Sequence, residues 1–391
     1  MSKKSNLFSF LENESYKLMV DMSKENHSTA DCEDISYRFN AVNKREFYEI
    51  CHEHELDGVV GQFAKTIGCH LPDYWEQEYE KQKHRQEFLK RTAKDICLKL
   101  DSAGIPMVIL KNGGIMLSMV QEAVKCPMED IDSLIKKKDF FKAHDVLVEN
   151  GFVLKFRSEY EKDELEEAFR HGSSEYYLLM DDGSRMWFEL SWRAIDGRWI
   201  RPDLEPDTDE LVNRSFIPDG TKVHVLSPED NLLQVCIHTA KHSYCRAPGL
   251  RLHMDVDRIV SHNCIDWEKF LKKVKESHVR TSTFISLYIP KKLFNTDIPQ
   301  WVLDDLKPKN VKRILDMLAN AGLLHPKERK FSKFQFLRFQ TALYDSKSDI
   351  IHVIYPGKEW MNERYGCNSS IQRFAATIQR GLDLAGIRKR K

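Results

Sequence analysis

The sequence predicts an α+β protein whose strands are confined to a central segment between two helical regions, and three observations carry that expectation. Residues 1 to about 100 show helical spacing. From Gly104 to about Ile200 short β-rich runs alternate with helical stretches, and beyond Ser227 helical spacing resumes. The corresponding division is 1–100, 101–200 and 201–391, and 41% apolar residues suffice for real cores.

In the first region, EQEYEKQKHRQEFLKRTAKDICLKLDSAG contains a charged helix with Phe88, Leu89, Ile96, Leu98 and Leu100 as its apolar contacts. The central segment follows as a strand at 105–110, a turn at Lys111, Asn112, Gly113 and Gly114, and a helix at 114–121. Next come a strand at 129–135, a helix at 137–149 and a strand at 152–156. EYYLLM and RMWFELSW are separated by Asp181, Asp182, Gly183 and Ser184, and Asp-Gly between β-rich runs signals a hairpin, here 175–193. DGRWIRPDLEPDTDE is a connector. Ser227, Pro228, Glu229 and Asp230 make a helix start, with a serine cap, proline at the first position and an acid three residues after the cap. At the end, Ile371, Phe374, Ala375, Ile378 and Leu382 share a helical face ahead of Arg388, Lys389, Arg390 and Lys391. A final helix docked on the body is the simpler expectation; a basic amphipathic end touching a membrane, an RNA or an acidic partner is the other.

Three carboxylates carry the chemistry. Alternate residues of a strand point to one side, so Asp130 and Asp132 share a face while Ile131 and Ile135 take the other. Two like charges so placed must share protons, lie in water or bind a cation, and hard oxygen ligands favour Mg²⁺ or Mn²⁺. Along the second hairpin strand Met186, Phe188, Leu190 and Trp192 form the core face, leaving Glu189 with Trp187, Ser191 and Arg193 on the other. The plain alternative for Glu189 is a surface acid paired with Arg193. Asp-x-Asp by itself is weak, since Asp207 with Asp209 and Asp255 with Asp257 repeat it.

Other candidates surround these acids. A glycine pair at a strand-to-helix turn lets backbone approach a phosphate, the helix N-terminus offers unpaired N–H groups, and Lys111 adds a charge. Such a pair is more often only a turn. In the helix from Ser227, the residues Asn231, Gln234, His238, His242 and Cys245 form a polar stripe. His238 and His242 are four apart and could bind zinc, but Thr239 stands where a metalloprotease helix has its Glu, so lining the cleft is the better expectation. RLHMDVDRIV is helical, which separates Asp255 from Asp257 and makes Arg251 with Asp255 a structural ion pair.

In order, LKNGG, CPMEDIDSLI, FELSWR, SPEDNLLQVCIHTAKH, RLHMDVDRIV and YPGKEWMNERYG resemble the uncharacterised bacterial nucleotidyltransferase family 5, within the DNA polymerase β-like superfamily, from about Phe47 to about Leu382. The resemblance implies a polymerase β-like nucleotidyltransferase core with a mixed sheet. It makes Asp130, Asp132 and Glu189 the catalytic and metal-binding acids for Mg²⁺ or Mn²⁺ in a two-metal reaction. An NTP, ATP first among them, would donate NMP to a hydroxyl of a small molecule, peptide or protein. Lys111, Gly113, Gly114, Arg193, His238 and His242 become the candidates for holding the nucleotide. Three positions depart from the family pattern: Asn112 for Gly, Cys126 for Arg and Ser191 for His. They motivate the alternative of a degenerate member that binds a nucleotide or partner without transfer.

Composition narrows the setting. Lys plus Arg equals Asp plus Glu at 60 each, so no global field draws nucleic acid, and an RNA end as acceptor is disfavoured. Nine cysteines without paired spacing suggest reduced thiols and a cytoplasmic protein. The opening MSKKSNLFSFLENES lacks the apolar core of a secretory signal, and no run approaches the ~20 apolar residues of a membrane span.

Overall fold

The computed structural model describes residues 6–158, 161–195, 199–245, 249–323 and 331–384. The chain opens with helices Glu14–Met22, Thr29–Ala41, Lys44–Glu53 and Asp57–Thr66, followed by α1 (Asp73–Ser102). Local side chains set several of these starts. Asn13 and Asn43 accept hydrogen bonds from first-turn amides, and Ser28 with Asp31 forms a capping box. In α1 the buried stripe is Phe88, Leu89, Ala93, Ile96 and Leu100, whereas Leu98 is 38% exposed, against expectation. Leu98 lies two residues beyond Ile96, which on a helix turns it away from that stripe.

A six-stranded mixed sheet forms the centre. Its strands are β1 (Val108–Ile109), β2 (Asp130–Leu134), β3 (Val153–Leu154), β4 (Ser173–Leu179), β5 (Arg185–Ser191) and β6 (His224–Val225). They are ordered β3-β4-β5-β2-β1-β6. β2 runs parallel to β5 and β1 parallel to β6, and the remaining neighbours are antiparallel. The expected hairpin is present, with the Gly183 N–H donating to Met180 and the Ser184 N–H donating to Asp182. β6 lies between the connector and Ser227, where the sequence announces no element; two residues carry too little periodicity to announce a strand.

α2 (Lys111–Ser118) follows β1 directly, so Gly113 and Gly114 sit inside the helix rather than in a turn ahead of it. A Cβ on Gly114 would lie 2.8 Å from the Ile109 carbonyl oxygen, and one on Gly113 would lie 2.7 Å from Ile109 Cγ2. The glycines let the helix press against its own strand. Gly114→Ala should therefore destabilise the protein by about 1–3 kcal/mol, read as a lower denaturant midpoint at unchanged slope. A midpoint equal to that of the wild type would show that the contact is slack.

α3 (Phe140–Glu149) follows β2, and the C-terminal half is built on α4 (Pro228–Lys241), α5 (Gly249–His262) and α6 (Arg280–Leu293), which pack on one another. Ser227 caps α4 through the Asp230 amide, with Pro228 at its first position, as the sequence predicts. One apolar core runs from Leu7 to Leu343, taking in the first helices, one face of the sheet and the α4–α6 bundle. A smaller cluster of Val108, Leu110, Leu134, Leu211, Val212 and Leu226 packs beside β6.

The chain ends in α7 (Lys347–Ile354), α8 (Lys358–Tyr365) and α9 (Ser370–Leu384). α9 is docked, but not by the expected apolar face. Ile371, Phe374, Ile378 and Leu382 are exposed, while Ala376 and Arg380 are buried. The Arg380 Nε–H donates to the Val353 carbonyl at 2.6 Å and its guanidinium lies 4.4 Å from the Trp360 ring centroid, so a cation anchors the helix. The basic tail Arg388–Lys391 falls outside the described residues.

The two other Asp-x-Asp triplets have structural duties. Asp207 caps the helix Thr208–Asn213 through the Glu210 amide. Asp257 accepts from Thr296 Oγ1 and from the Glu25 amide. Asp255 is not paired with Arg251, which bonds Glu55 and the Pro127 carbonyl instead, and Asp255 Oδ1 has no partner. Burial pushes the Asp255 carboxyl up to about 6, with Arg258 and Arg251 opposing. The folded protein thus keeps a proton that the unfolded chain releases near pH 4, so stability falls as pH rises from about 4 to 6 and stays reduced above. Asp255→Asn should be more stable than the wild type at pH 8, by about 3 kcal/mol at most, and the gain should vanish toward pH 4. Thermal unfolding at both pH values checks this; a pH-independent difference would refute it.

Candidate active site

Strand geometry brings the acids together. On β2 Ile131 and Ser133 are fully buried, while Asp130 and Asp132 keep 25% and 14% side-chain exposure on the other face. Asp132 stands in register with Glu189 of β5, and Glu189 with Glu175 of β4, so three carboxylates form a row across adjacent strands. Asp130 lies one step along, in register with Trp187, and Trp187 with Tyr177. The Ser191 hydroxyl donates to Glu189 Oε1 at 3.1 Å. Residues in register share a face of the sheet.

Two cations answer this charge. Lys111 Nζ donates to Asp132 Oδ1 at 2.6 Å. Burial opposes its charged form, but Asp132, Glu189 and Asp130 outweigh that and hold the ammonium above its ordinary range. Burial also pushes the Asp132 carboxyl up, with Lys111 opposing and Glu189 reinforcing. Lys111 carries a backbone φ of +51°, a left-handed conformation uncommon outside glycine, at the junction of β1 and α2. The second cation is Arg157, just after β3. Its Nη1 reaches Asp130 Oδ2 at 2.7 Å, its Nη2 reaches Glu175 Oε1 at 3.1 Å, and its guanidinium lies 5.4 Å from the Trp187 ring centroid.

The loop leading into β2 is pinned from three sides. Gln86 of α1 exchanges hydrogen bonds with the Met128 main chain, while Asn112 Nδ2 and Arg251 Nη1 both donate to the Pro127 carbonyl. Asn112, one departure from the family pattern, is thus a strut beneath the strand that carries the aspartates. Cys126, another, is buried, and Arg258 Nη1 points at its sulfur at 3.6 Å.

A cleft opens beside the acids, lined by Lys111, Asp132, Glu189, Ser191 and Arg193 together with Trp199, Gln234, Ile237, His238 and Lys241. Of the nucleotide candidates, the structure brings Lys111, Arg193 and His238 to this cleft. Arg193 pairs with Glu205 at 2.9 Å rather than with Glu189. His242 is outside the lining; its ring sits 4.7 Å from that of His238, edge to face. Burial, followed by the charge of Lys111, keeps His238 well below the usual imidazole range and therefore neutral at pH 7. Gly113 and Gly114 are likewise outside the lining, and the Gly114 N–H is committed to the Leu110 carbonyl.

Sequence reasoning missed Arg157, Glu175, Trp199 and Lys241. Glu175 lies on a strand whose turn had been located, so the hairpin register was the available signal. Lys241 follows His238 by three residues on α4, hence on the same helix face, and its charge reaches Asp132.

The donor set suits a hard divalent cation, being all carboxylate oxygen on one sheet face. Among the described residues no three metal-ligating side chains already converge on one point. The acids are engaged by Lys111 and Arg157, so holding a divalent cation requires these side chains to give way.

A mixed sheet whose acids line a cleft with lysines and a neutral histidine has the ingredients of a phosphate-handling enzyme. The chain belongs to the family described as uncharacterised nucleotidyltransferase, which matches residues 40–295. That span takes in the sheet, both aspartates, Glu189 and α4, and it stops short of YPGKEWMNERYG, which had been counted into the resemblance. None of the curated proteins compared matches the chain. Among solved structures, one similar chain is an antigenic nucleotidyltransferase-like protein from Paracoccidioides brasiliensis. It is 16% identical over 55% of this chain and 96% of that one, with a TM-score of 0.35. The family assignment does not rest on so distant a likeness. Among the described residues no helix is long and apolar enough to cross a membrane.

Proposed function

We propose that the protein is a metal-dependent nucleotidyltransferase that moves NMP from an NTP, ATP first among the candidates, to a hydroxyl of a small molecule, peptide or protein. The observation that carries this reading is the register of Asp132 with Glu189, one step from Asp130, with the Lys111 ammonium among them. Asp130, Asp132 and Glu189 would hold Mg²⁺ or Mn²⁺, which when bound would neutralise the triphosphate and acidify the acceptor hydroxyl. Lys111, released from Asp132, is then free to meet a phosphate oxygen. Lys241 offers a second cation from the cleft wall. Ser191 holds Glu189 Oε1, which leaves Oε2 to take the acceptor's proton. Neutral His238 can donate or accept a hydrogen bond without adding charge.

One observation favours a second reading. Asp132 and Asp130 are each already paired with a cation of the chain itself, as a non-catalytic binding member could tolerate.

Thermal unfolding with each of the four NTPs, with and without Mg²⁺, separates the two. Ligand present at about 100 times its Kd stabilises the fold by about 2.7 kcal/mol. The transferase reading expects a Mg²⁺-dependent rise with one NTP, lost in Asp130→Asn. A rise that ignores both Mg²⁺ and the substitution would favour the binding-only reading, and no rise with any NTP would remove the nucleotide from the account.

A further inference from the structure

Gln234 lies in the first half of α4, 6% exposed, on the cleft wall. Its Nε2–H donates to the Ala194 carbonyl at 3.2 Å, which orients the amide and leaves Oε1 as the free end. That oxygen is buried and has no partner. Buried amide oxygens are ordinarily satisfied, and an unsatisfied one on a cleft wall marks a place for a ligand or an ordered water. The same wall carries Ile195, Ile237 and the Trp199 indole, with His238 and Lys241 further along α4, so the acceptor stands beside apolar and aromatic surface in a cleft that also holds charge. A flat ring with a polar edge fits such a surface, stacking on the aromatic face and directing an N–H at the unpartnered Gln234 Oε1.

We propose that this part of the cleft receives the base of the donor nucleotide and that Gln234 Oε1 selects an amino group at purine C6 or pyrimidine C4, as in adenine or cytosine, over the oxygen that guanine and uracil carry there. The inference rests on the transferase reading above. With its amide N–H tied to Ala194, Gln234 meets guanine O6 or uracil O4 with an oxygen. Two acceptors then face each other, whereas an amino group supplies the missing hydrogen bond.

The test is equilibrium binding, with Mg²⁺ present, of ATP, GTP and purine riboside triphosphate, which is ATP without its amino group. The unaltered protein should bind ATP about 10- to 100-fold more tightly than either analogue. In Gln234→Leu the three affinities should converge to within about twofold, through loss of the ATP preference. Equal affinity for ATP and its deamino analogue in the unaltered protein would overturn the proposal without needing any variant to fold. So would a preference that survives in Gln234→Leu, which would mean that a water or another group satisfies Oε1. In both cases triphosphate binding lost in Asp132→Asn would leave the transferase reading standing. Failure of every triphosphate to bind would sink both.

Discussion

Asp132→Asn should abolish transfer, lowering turnover by about a thousandfold or more while leaving the fold intact. Asp132 is the acid in register with Glu189, the one that Lys111 touches and the aspartate on the cleft wall, so it is where the proposed chemistry has least redundancy. Asn keeps the shape and removes the charge. The Asn side-chain oxygen can still accept from Lys111, and Glu189 and Asp130 still face its ammonium, so the amide should cost less stability than loss of the lysine and leave a folded protein with a cooperative melting transition. Steady-state turnover and a melting curve on the same preparation make the check. A variant that retains turnover would remove Asp132 from the machinery, and one that loses turnover only because it has unfolded would leave the role unassigned.

Lys111→Met should produce the largest stability change. The substitution preserves most of the side chain's length and deletes the ammonium, so Asp132 and Glu189 face each other with no cation between them. Removing one member of a largely buried pair costs about 3–5 kcal/mol, and this site should fall near the lower end because 21% of the lysine side chain remains exposed. The loss should be partly recovered by millimolar Mg²⁺ or Mn²⁺, whereas the wild type should respond less. Chemical denaturation with and without the cation distinguishes this from simple damage to packing, which no cation would repair. A destabilised variant indifferent to both metals would argue that the acid row does not accept divalent cations.

How far residues alone reached into this site depends on how local each signal was. β2, β5 and their alternation were visible because five or more residues repeat with period two, and Asp130, Asp132 and Glu189 followed from that. The cap and first turn of α4 were visible for the same reason, since every part lies within four residues. Glu175 was not, because its place opposite Glu189 depends on a hairpin register set by the Met180–Ser184 loop, and a slip of one residue would turn it to the core. Arg157 comes from outside the strands, and nothing in sequence says that it spans Asp130 and Glu175. Gly113 and Gly114 looked like a phosphate turn, and tertiary packing put them to another use, fitting α2 against Ile109. α9 is the converse case, where helical spacing correctly gave the helix but the side it buries was decided by Arg380 and Trp360.

The left-handed backbone at Lys111 has a consequence for how the protein is made. A glycine would adopt that conformation at little cost, so the lysine there is tolerated against local preference and held by the acids it serves. Its positive charge is part of the polypeptide, which means that newly synthesised chains can bury Asp132 and Glu189 before meeting any metal. On the transferase reading, folding would thereby be separated from metal supply. On that reading, arrival of a divalent ion would be an exchange in which one covalent charge is released, and the site could wait, already formed, until a substrate brings the reason to open it.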